Sequence, residues 1–379
     1  MGHAQSRNLS PSEQDFEAFW TTFRDHYAFF PQKRVDWNTT YRIYRRQVTA
    51  QTTEAALISV FKAMVEPLHD GHITLARGDM VLYKGESARN TFKQTFRPVR
   101  HEFWRVAYRQ LQTAGFAPVQ ASGPIFKGTH LLYATRTKEV GYLHLTRCFA
   151  EITGVIGTAA QEKQDQYLLQ SLVAQALVPL ADCRTLLVDV RDNGGGHSGY
   201  ELAGRFSRRR VLANYKATRL PGSYDHFTAP QPYYLIPAPG PHYICPVVLL
   251  TSDQTASAAE DFTLALSQRA NVIRVGTATK GMMSDMYNAT LPSGLQVTLS
   301  NQRYTSRAGR VLEDVGVQPS LRVENTLTAL QRQQDPVIAQ ALEVAAQQKR
   351  VNNTGTNKNG NKELWKAKAR YLGTQGTRF

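Results

Sequence analysis

Thr185-Leu-Leu-Val-Asp-Val-Arg-Asp-Asn-Gly-Gly-Gly-His197 joins a continuous apolar run to three successive glycines. The run Thr185 to Val190 reads as a strand covered on both faces, as parallel sheets require. The glycines after it expose backbone N–H groups that can approach an anion closely. That anion could be a phosphate or the oxyanion of an acyl-transfer step. A tight structural turn accounts for the spacing as well. No Gly-Lys-Ser/Thr follows, and Gly-x-Gly-x-x-Gly is not matched, so the phosphate-loop and dinucleotide patterns do not fit.

Outward from this stretch, strand and helix patterns alternate. Val140 to Leu145 reads as a strand. Lys163 to Ala181 reads as a helix with Leu168, Leu169, Leu172, Ala176 and Leu177 on one side. Gly199 to Ser207 is a helix, Pro246 to Leu250 a buried strand, Ser257 to Arg269 a helix and Val272 to Val275 a strand. Asn288 to Pro292 and Leu295 to Gln302 form a hairpin turned at Ser293-Gly294. Asp335-Pro336 caps a closing helix through about Gln347. This order implies an α/β core.

The region before it is helical. Ser10-Pro11-Ser12-Glu13 starts a helix carrying Phe16, Phe19, Trp20 and Phe23. Asp36 caps a second, with Tyr41, Ile43 and Tyr44 as core candidates. Thr53-Glu54 starts a third through Leu57, Val60, Phe61 and Met64. Residues 76–139 give a weak pattern, with a helix near Phe103 to Thr113. The division expected is a flexible N-terminus at 1–9, a helical domain carrying His72 at 10–78, a connecting segment at 79–137, an α/β core at 138–348 and a basic flexible tail at 349–379.

Composition bounds the function. The 379 residues carry a formal charge of +15, and 42% are apolar, as in a globular protein. Residues 349–379 hold eight Lys/Arg against Glu363 alone, so much of the surplus lies in the tail. The tail could contact anionic surfaces, but no motif supports specific nucleic-acid recognition. No apolar run approaches the roughly 20 residues a spanning helix needs. Met1 to Gln14 lacks the apolar segment of a secretory signal. Cys148, Cys183 and Cys245 have no CxxC spacing and read as buried free thiols, not as a zinc site or disulfide framework.

Two further segments carry chemistry. Ser257 follows strand Pro246 to Leu250 and opens a helix at the edge of the sheet, where α/β sites lie. Ser257-Ala-Ala-Glu260 is also a capping box, which explains both side chains without catalysis. A serine nucleophile needs a base. His69 and His72 flank Asp70-Gly71; His-x-x-His suggests a metal pair, but no further ligand motif accompanies it.

Several segments together resemble the tricorn-core and tail-specific (carboxyl-terminal-processing) serine peptidases. They are Val140-Gly-Tyr-Leu143, Leu187-Val-Asp-Val-Arg-Asp-Asn-Gly-Gly-Gly196, Thr255-Ala-Ser-Ala-Ala-Glu260, Val275-Gly-Thr-Ala-Thr-Lys-Gly281, Leu291-Pro-Ser-Gly294 and Leu312-Glu-Asp-Val-Gly-Val-Gln-Pro319. Tyr27, Val35-Asp-Trp37 and Leu68-His-Asp-Gly-His72 resemble the helical domain of bacterial members. The likeness covers roughly residues 14 to 345, with six motifs in the family's order.

The resemblance implies a crotonase-like α/β spiral with an N-terminal helical domain, and Ser257 as nucleophile. One branch of the family takes a lysine as base. Met282 stands at that position, and Lys280 lies two residues early, so a Ser–Lys dyad is not expected. The tricorn-like branch takes a histidine and a glutamate, which match His72 and Glu313. His72 would then take the Ser257 proton and Glu313 would orient and stabilise the imidazolium. Backbone N–H groups of Gly194, Gly195 and Ala258 would form the oxyanion hole. Gly71 replaces a serine of that branch, so a hydroxyl contact is absent or comes from elsewhere. No metal or organic cofactor is implied. The substrate would be a peptide or unfolded protein. A PDZ domain is not evident, so recognition of protein C-termini is not carried over. The family suggests an extracytoplasmic location. Alternatives are a catalytically silent relative binding an apolar ligand or peptide, and an acyl-CoA enzyme sharing the fold alone.

Overall fold

A computed structural model describes residues 9–151, 158–240 and 242–353. The first helix, Pro11–His26, begins at a complete capping box, with the Glu13 carboxylate accepting the Ser10 N–H at 3.0 Å. Its Phe16, Phe19 and Phe23 are fully buried, and Phe19 stacks on Phe61 of helix Glu54–Val65 with ring centroids 4.0 Å apart. Trp37 joins them at the start of helix Trp37–Tyr44, behind an Asp36 cap. Ile43, expected in this core, is 53% exposed; Tyr41 and Tyr44 occupy the inward face of that short helix instead.

This aromatic core is completed by the far end of the chain. Leu291, Leu295, Val297 and Leu299 pack into it. They belong to the expected hairpin, strands β11 (Met286–Thr290) and β12 (Gln296–Ser300). That hairpin continues into β1 (Thr74–Arg77) and β2 (Met80–Lys84), giving the sheet order β11-β12-β1-β2. Antiparallel pairing of β1 with β12 sets Thr74 opposite Thr298, and continuing the register brings His72 opposite Ser300.

The central sheet has the order β14-β10-β9-β6-β5-β4-β3. Its parallel part comprises β5 (Val140–Leu145), β6 (Thr185–Asp189), β9 (Val247–Thr251), β10 (Val272–Gly276) and β14 (Leu321–Arg322). Every residue of β6 and β9 is buried, as their apolar runs require. Two antiparallel strands extend the sheet, β4 (Thr129–Arg136) and β3 (Gln120–Phe126). Both lie before the expected start of the core at 138. Their pattern is faint because β3 is a mostly exposed edge interrupted by Gly123-Pro124.

A third sheet, β13-β7-β8, is built from β7 (Val211–Thr218), β8 (Gln231–Leu235) and β13 (Gln302–Ser306). Its first strand buries Asn214 and Lys216, which breaks the apolar alternation a sequence reading depends on. The helix expected over Lys163 to Ala181 is Ala159–Leu177, with Leu169, Val173 and Leu177 inward and Leu168 37% exposed. The closing helix spans Pro336–Asn353, entered through Asp335, whose carboxylate accepts the Val337 and Ile338 N–H groups at 3.0 and 3.1 Å. From residue 354 onward the expected tail lies outside the described residues. Cys148 and Cys183 are buried and Cys245 is half-buried, all three as free thiols.

One ion cluster joins the end of β6 to this helix. Arg191 is fully buried and bonds Asp189 at 2.7 Å and Asp335 at 2.8 Å, beneath the faces of Phe103 and Trp104. Removing the cation leaves two carboxylates buried without it. Arg191→Leu is expected to cost about 3–5 kcal/mol, read from the urea midpoint, whereas exposed Arg42→Ala should shift it by under about 0.5 kcal/mol. A loss below about 1 kcal/mol in Arg191→Leu would remove the cluster from the account of stability.

Candidate active site

Strands β6 and β9 are neighbours, so the loops leaving their carboxyl ends touch. The Thr255 hydroxyl donates to the Val190 carbonyl at 2.7 Å, and the Ala256 N–H to the Asn193 carbonyl at 3.1 Å. Between these loops Gly195, at φ 100°, leaves no room for a side chain: a Cβ there would lie 2.6 Å from the Ala256 oxygen and 2.9 Å from the Ser257 Cβ. Ser257 itself has φ 53° and ψ −125°, a conformation unusual for a residue bearing a side chain.

A fully buried carboxylate holds that conformation. Glu260, on helix Ala258–Ser267, accepts the N–H groups of Ser257, Gly281 and Met282 at 3.2, 2.7 and 2.8 Å, and the Thr279 hydroxyl at 2.6 Å. The capping box read in the sequence is therefore present in part and serves a wider purpose. Glu260 accepts the Ser257 N–H, while the Glu260 N–H goes to the Ser257 carbonyl at 2.7 Å. The Ser257 hydroxyl is left for another partner.

That partner is His72. Its Nε2 lies 3.3 Å from Ser257 Oγ and its Nδ1 3.1 Å from Ser300 Oγ. The imidazole is 5% exposed, and burial lowers its pKa below the ordinary value. It is therefore neutral at pH 7. In the tautomer whose Nδ1–H donates to Ser300 Oγ, the lone pair of Nε2 faces Ser257. Asp70 is the nearby carboxylate. Its Oδ1 accepts the His72 N–H at 2.8 Å and lies 4.0 Å from Nδ1, while its buried Oδ2 has no hydrogen-bond partner.

Glu313 is not brought to the imidazole. It accepts the Met283 N–H at 3.0 Å and lies 3.6 Å from Lys33 Nζ. Burial, and then the charge of Asp70, raise its pKa well above the usual carboxylate range. A hydroxyl does reach the imidazole, that of Ser300, which the pairing of β1 with β12 brings to Nδ1. Gly71 could not carry a side chain unaided, since a Cβ would stand 2.5 Å from the Met282 sulfur. Lys280 turns away, donating to the Arg89 carbonyl at 3.2 Å.

Of the three expected oxyanion donors, Gly195 is already engaged, giving its N–H to Asn193 Oδ1 at 2.9 Å. The Gly194 and Ala258 N–H groups have no acceptor among the described residues. A second row of similar composition is closed to substrate. Ser198 Oγ lies 2.8 Å from His197 Nδ1, and His197 Nε2 lies 2.9 Å from Asp165, but Ser198 is fully buried. Asp165 also takes the Ala150 and Glu151 N–H groups at 2.9 and 2.6 Å, so this row braces the segment beside the glycine loop.

Ser257 and His72 open onto a cavity of about 650 Å³ with Met282 in its wall. Asp192 also lines it, held by His144 and Arg100, each at 2.8 Å. Burial opposes its ionisation, but those two neighbours outweigh it and keep the pKa at about 2. His69, the other half of the His-x-x-His pair, caps its turn at φ 45°. Among the described residues no group of three or more His, Cys, Asp or Glu could hold a metal ion.

Comparison with known proteins places the chain in a family. Residues 139–323 match the model of peptidase family S41, and residues 12–66 match that of the tricorn protease C1 domain. The chain belongs to the tricorn-like, tail-specific S41 family of serine peptidases. Among solved structures it is similar to a "putative peptidase" from Parabacteroides merdae, at TM-score 0.67 and 23% identity over 89% of this chain and 97% of that one. Mature CPAF aligns at TM-score 0.58 and 12% identity, covering 88% and 96% of the two chains. The tricorn protease aligns at TM-score 0.54 and 15% identity, over 90% of this chain and 37% of that larger one. At these identities the likeness is one of fold. A search of the curated proteins finds no match.

The lowered His72 pKa sets a measurable sign. Histidine NMR titration should give His72 a pKa below about 6.5, so it gains its proton only as the pH falls through that lower value. A His72 pKa above about 7 would contradict the burial argument.

Proposed function

We propose that this S41 family member hydrolyses peptide bonds through an acyl-enzyme, with Ser257 as nucleophile and His72 as base. The observation that carries this reading is the 3.3 Å approach of His72 Nε2 to Ser257 Oγ, between side chains 185 positions apart in the chain. His72 takes the hydroxyl proton as Oγ attacks the peptide carbonyl carbon. The carbonyl oxygen becomes an oxyanion facing the free Gly194 and Ala258 N–H groups. The imidazolium then gives its proton to the departing amine. Water, activated by the same imidazole, releases the acid product.

In this mechanism the Nδ1–H donates to Ser300 Oγ, and the Asp70 carboxylate beside Nδ1 favours the transient imidazolium. Glu313 acts at one remove, holding the Met283 N–H behind the loop that carries Met282. The parallel strand order β14-β10-β9-β6-β5 supports the crotonase-type reading of the core. Substrates would be peptides or unfolded proteins cut internally, with no metal or organic cofactor in the chemistry. Among the described residues no helix is long and apolar enough to cross a membrane.

Hydrolysis of reduced, unfolded casein tests the assignment. Ser257→Ala should abolish it, and His72→Ala should lower kcat/KM by at least about 10³-fold. Ser300→Ala should cost about tenfold, the worth of one buried hydrogen bond, and Glu313→Gln should stay within about threefold. Full activity in folded Ser257→Ala would refute the reading. A Glu313→Gln loss matching that of His72→Ala would restore Glu313 to the imidazole.

A further inference from the structure

The cleft in front of Ser257 is charged in one sense. Lys84, Lys93, Arg97, Arg100, Lys127 and Arg147 line it, and Asp192 is the one acid among the lining residues. Asp192 is already committed to Arg100 and His144 at 2.8 Å and to the Trp104 indole at 3.0 Å. Lys93 has a carboxylate, Glu86, at 3.7 Å. Lys84, Arg97, Lys127 and Arg147 have none within 4.0 Å among the described residues.

Two of these cations sit on segments next to those of the reacting atoms. Lys84 pairs across the strands with Thr74, two residues from His72. Arg147 precedes Cys148, whose N–H donates to the Gly195 carbonyl at 2.9 Å, so it stands beside the glycine loop. Its terminal nitrogens bond the carbonyls of Pro124, Ala150 and Thr129 at 2.7, 2.9 and 3.3 Å, but its buried Nε has no partner among the described residues. Neutral carbonyls satisfy hydrogen bonds without cancelling a full charge. Like charges gathered in a concave, partly dry site raise its potential and await a counter-charge from the ligand.

We propose that this cleft selects peptides with Asp or Glu side chains on either side of the bond presented to Ser257, an inference that rests on the peptidase reading for the identity of the ligand. A peptide is the ligand to expect because the cations line the same half-open cleft as Ser257 and His72. An extended chain can thread there with its carboxylates to the sides.

Binding separates this inference from cleavage. Fluorescence anisotropy on the otherwise intact Ser257→Ala chain would compare two labelled ten-residue peptides, one with four Glu and one with four Gln. The acidic peptide should bind about tenfold tighter or more at low salt, and the advantage should shrink as salt is added. Lys84→Glu with Lys127→Glu, at two exposed positions, should abolish the difference. Amidating the peptide C-terminus should leave it intact. Equal affinities, a preference lost on amidation, or tighter binding of a single-stranded oligonucleotide of equal charge would overturn the proposal. If the acidic peptide binds as expected while the wild-type chain cleaves no peptide, the peptidase reading falls and the cleft's preference for acidic chains stands.

Discussion

The site depends on where one buried carboxylate finds its hydrogen bonds. Glu260 gathers three backbone N–H groups and one hydroxyl from two separate segments, the turn at Ser257 and the loop Thr279 to Met282. A carboxylate in an apolar setting is costly unless its lone pairs are met, and here the donors come from two segments that also meet where the Lys280 N–H donates to the Thr255 carbonyl at 2.9 Å. Their convergence holds Ser257 at positive φ with its hydroxyl unspent. It also sets Met282 against Gly71, and so fixes the entry to His72. The Glu260 carboxylate and the Ser257 turn are parts of one device.

The remaining geometry comes from sheet registers. Pairing of β6 with β9 puts the glycine loop against the serine turn, and pairing of β1 with β12 puts Ser300 behind the imidazole. A slip of one residue in the second pairing would turn Ser300 to the opposite face and leave Nδ1 without its hydroxyl. The aromatic core Phe16, Phe19, Phe23 and Trp37 packs on that same hairpin. Helical domain and peptidase core thus share a hydrophobic cluster, and His72 sits on the seam between them.

Features that repeat locally were legible in the sequence. The buried strands Thr185 to Val190 and Pro246 to Leu250, the hairpin at Ser293-Gly294 and the capped first helix each have a periodicity or turn residue that announces them. Strands β7 and β13 were not legible, because the sheet they form buries Asn214 and Lys216, the latter against Asp285 and the faces of Tyr233 and Tyr304. At the site, Ser257 stood out by its place at a strand–loop–helix junction and His72 by His-x-x-His, but the roles expected of them came from the family resemblance. Ser300 and Asp70 could not be given roles, since their relation to the imidazole arises from pairing and from a two-residue turn. Glu313 was named by resemblance alone, and its carboxylate lies behind the loop, by Lys33 and Met283.

The central claim is that Ser257 is a hydroxyl activated by His72. Its most direct measure is the rate at which a fluorophosphonate forms a covalent adduct, mapped by peptide mass spectrometry. The account predicts a single adduct on Ser257, forming at least about 10³ times more slowly in folded His72→Ala. A folded chain that leaves Ser257 unmodified, or that reacts equally fast without His72, would contradict it.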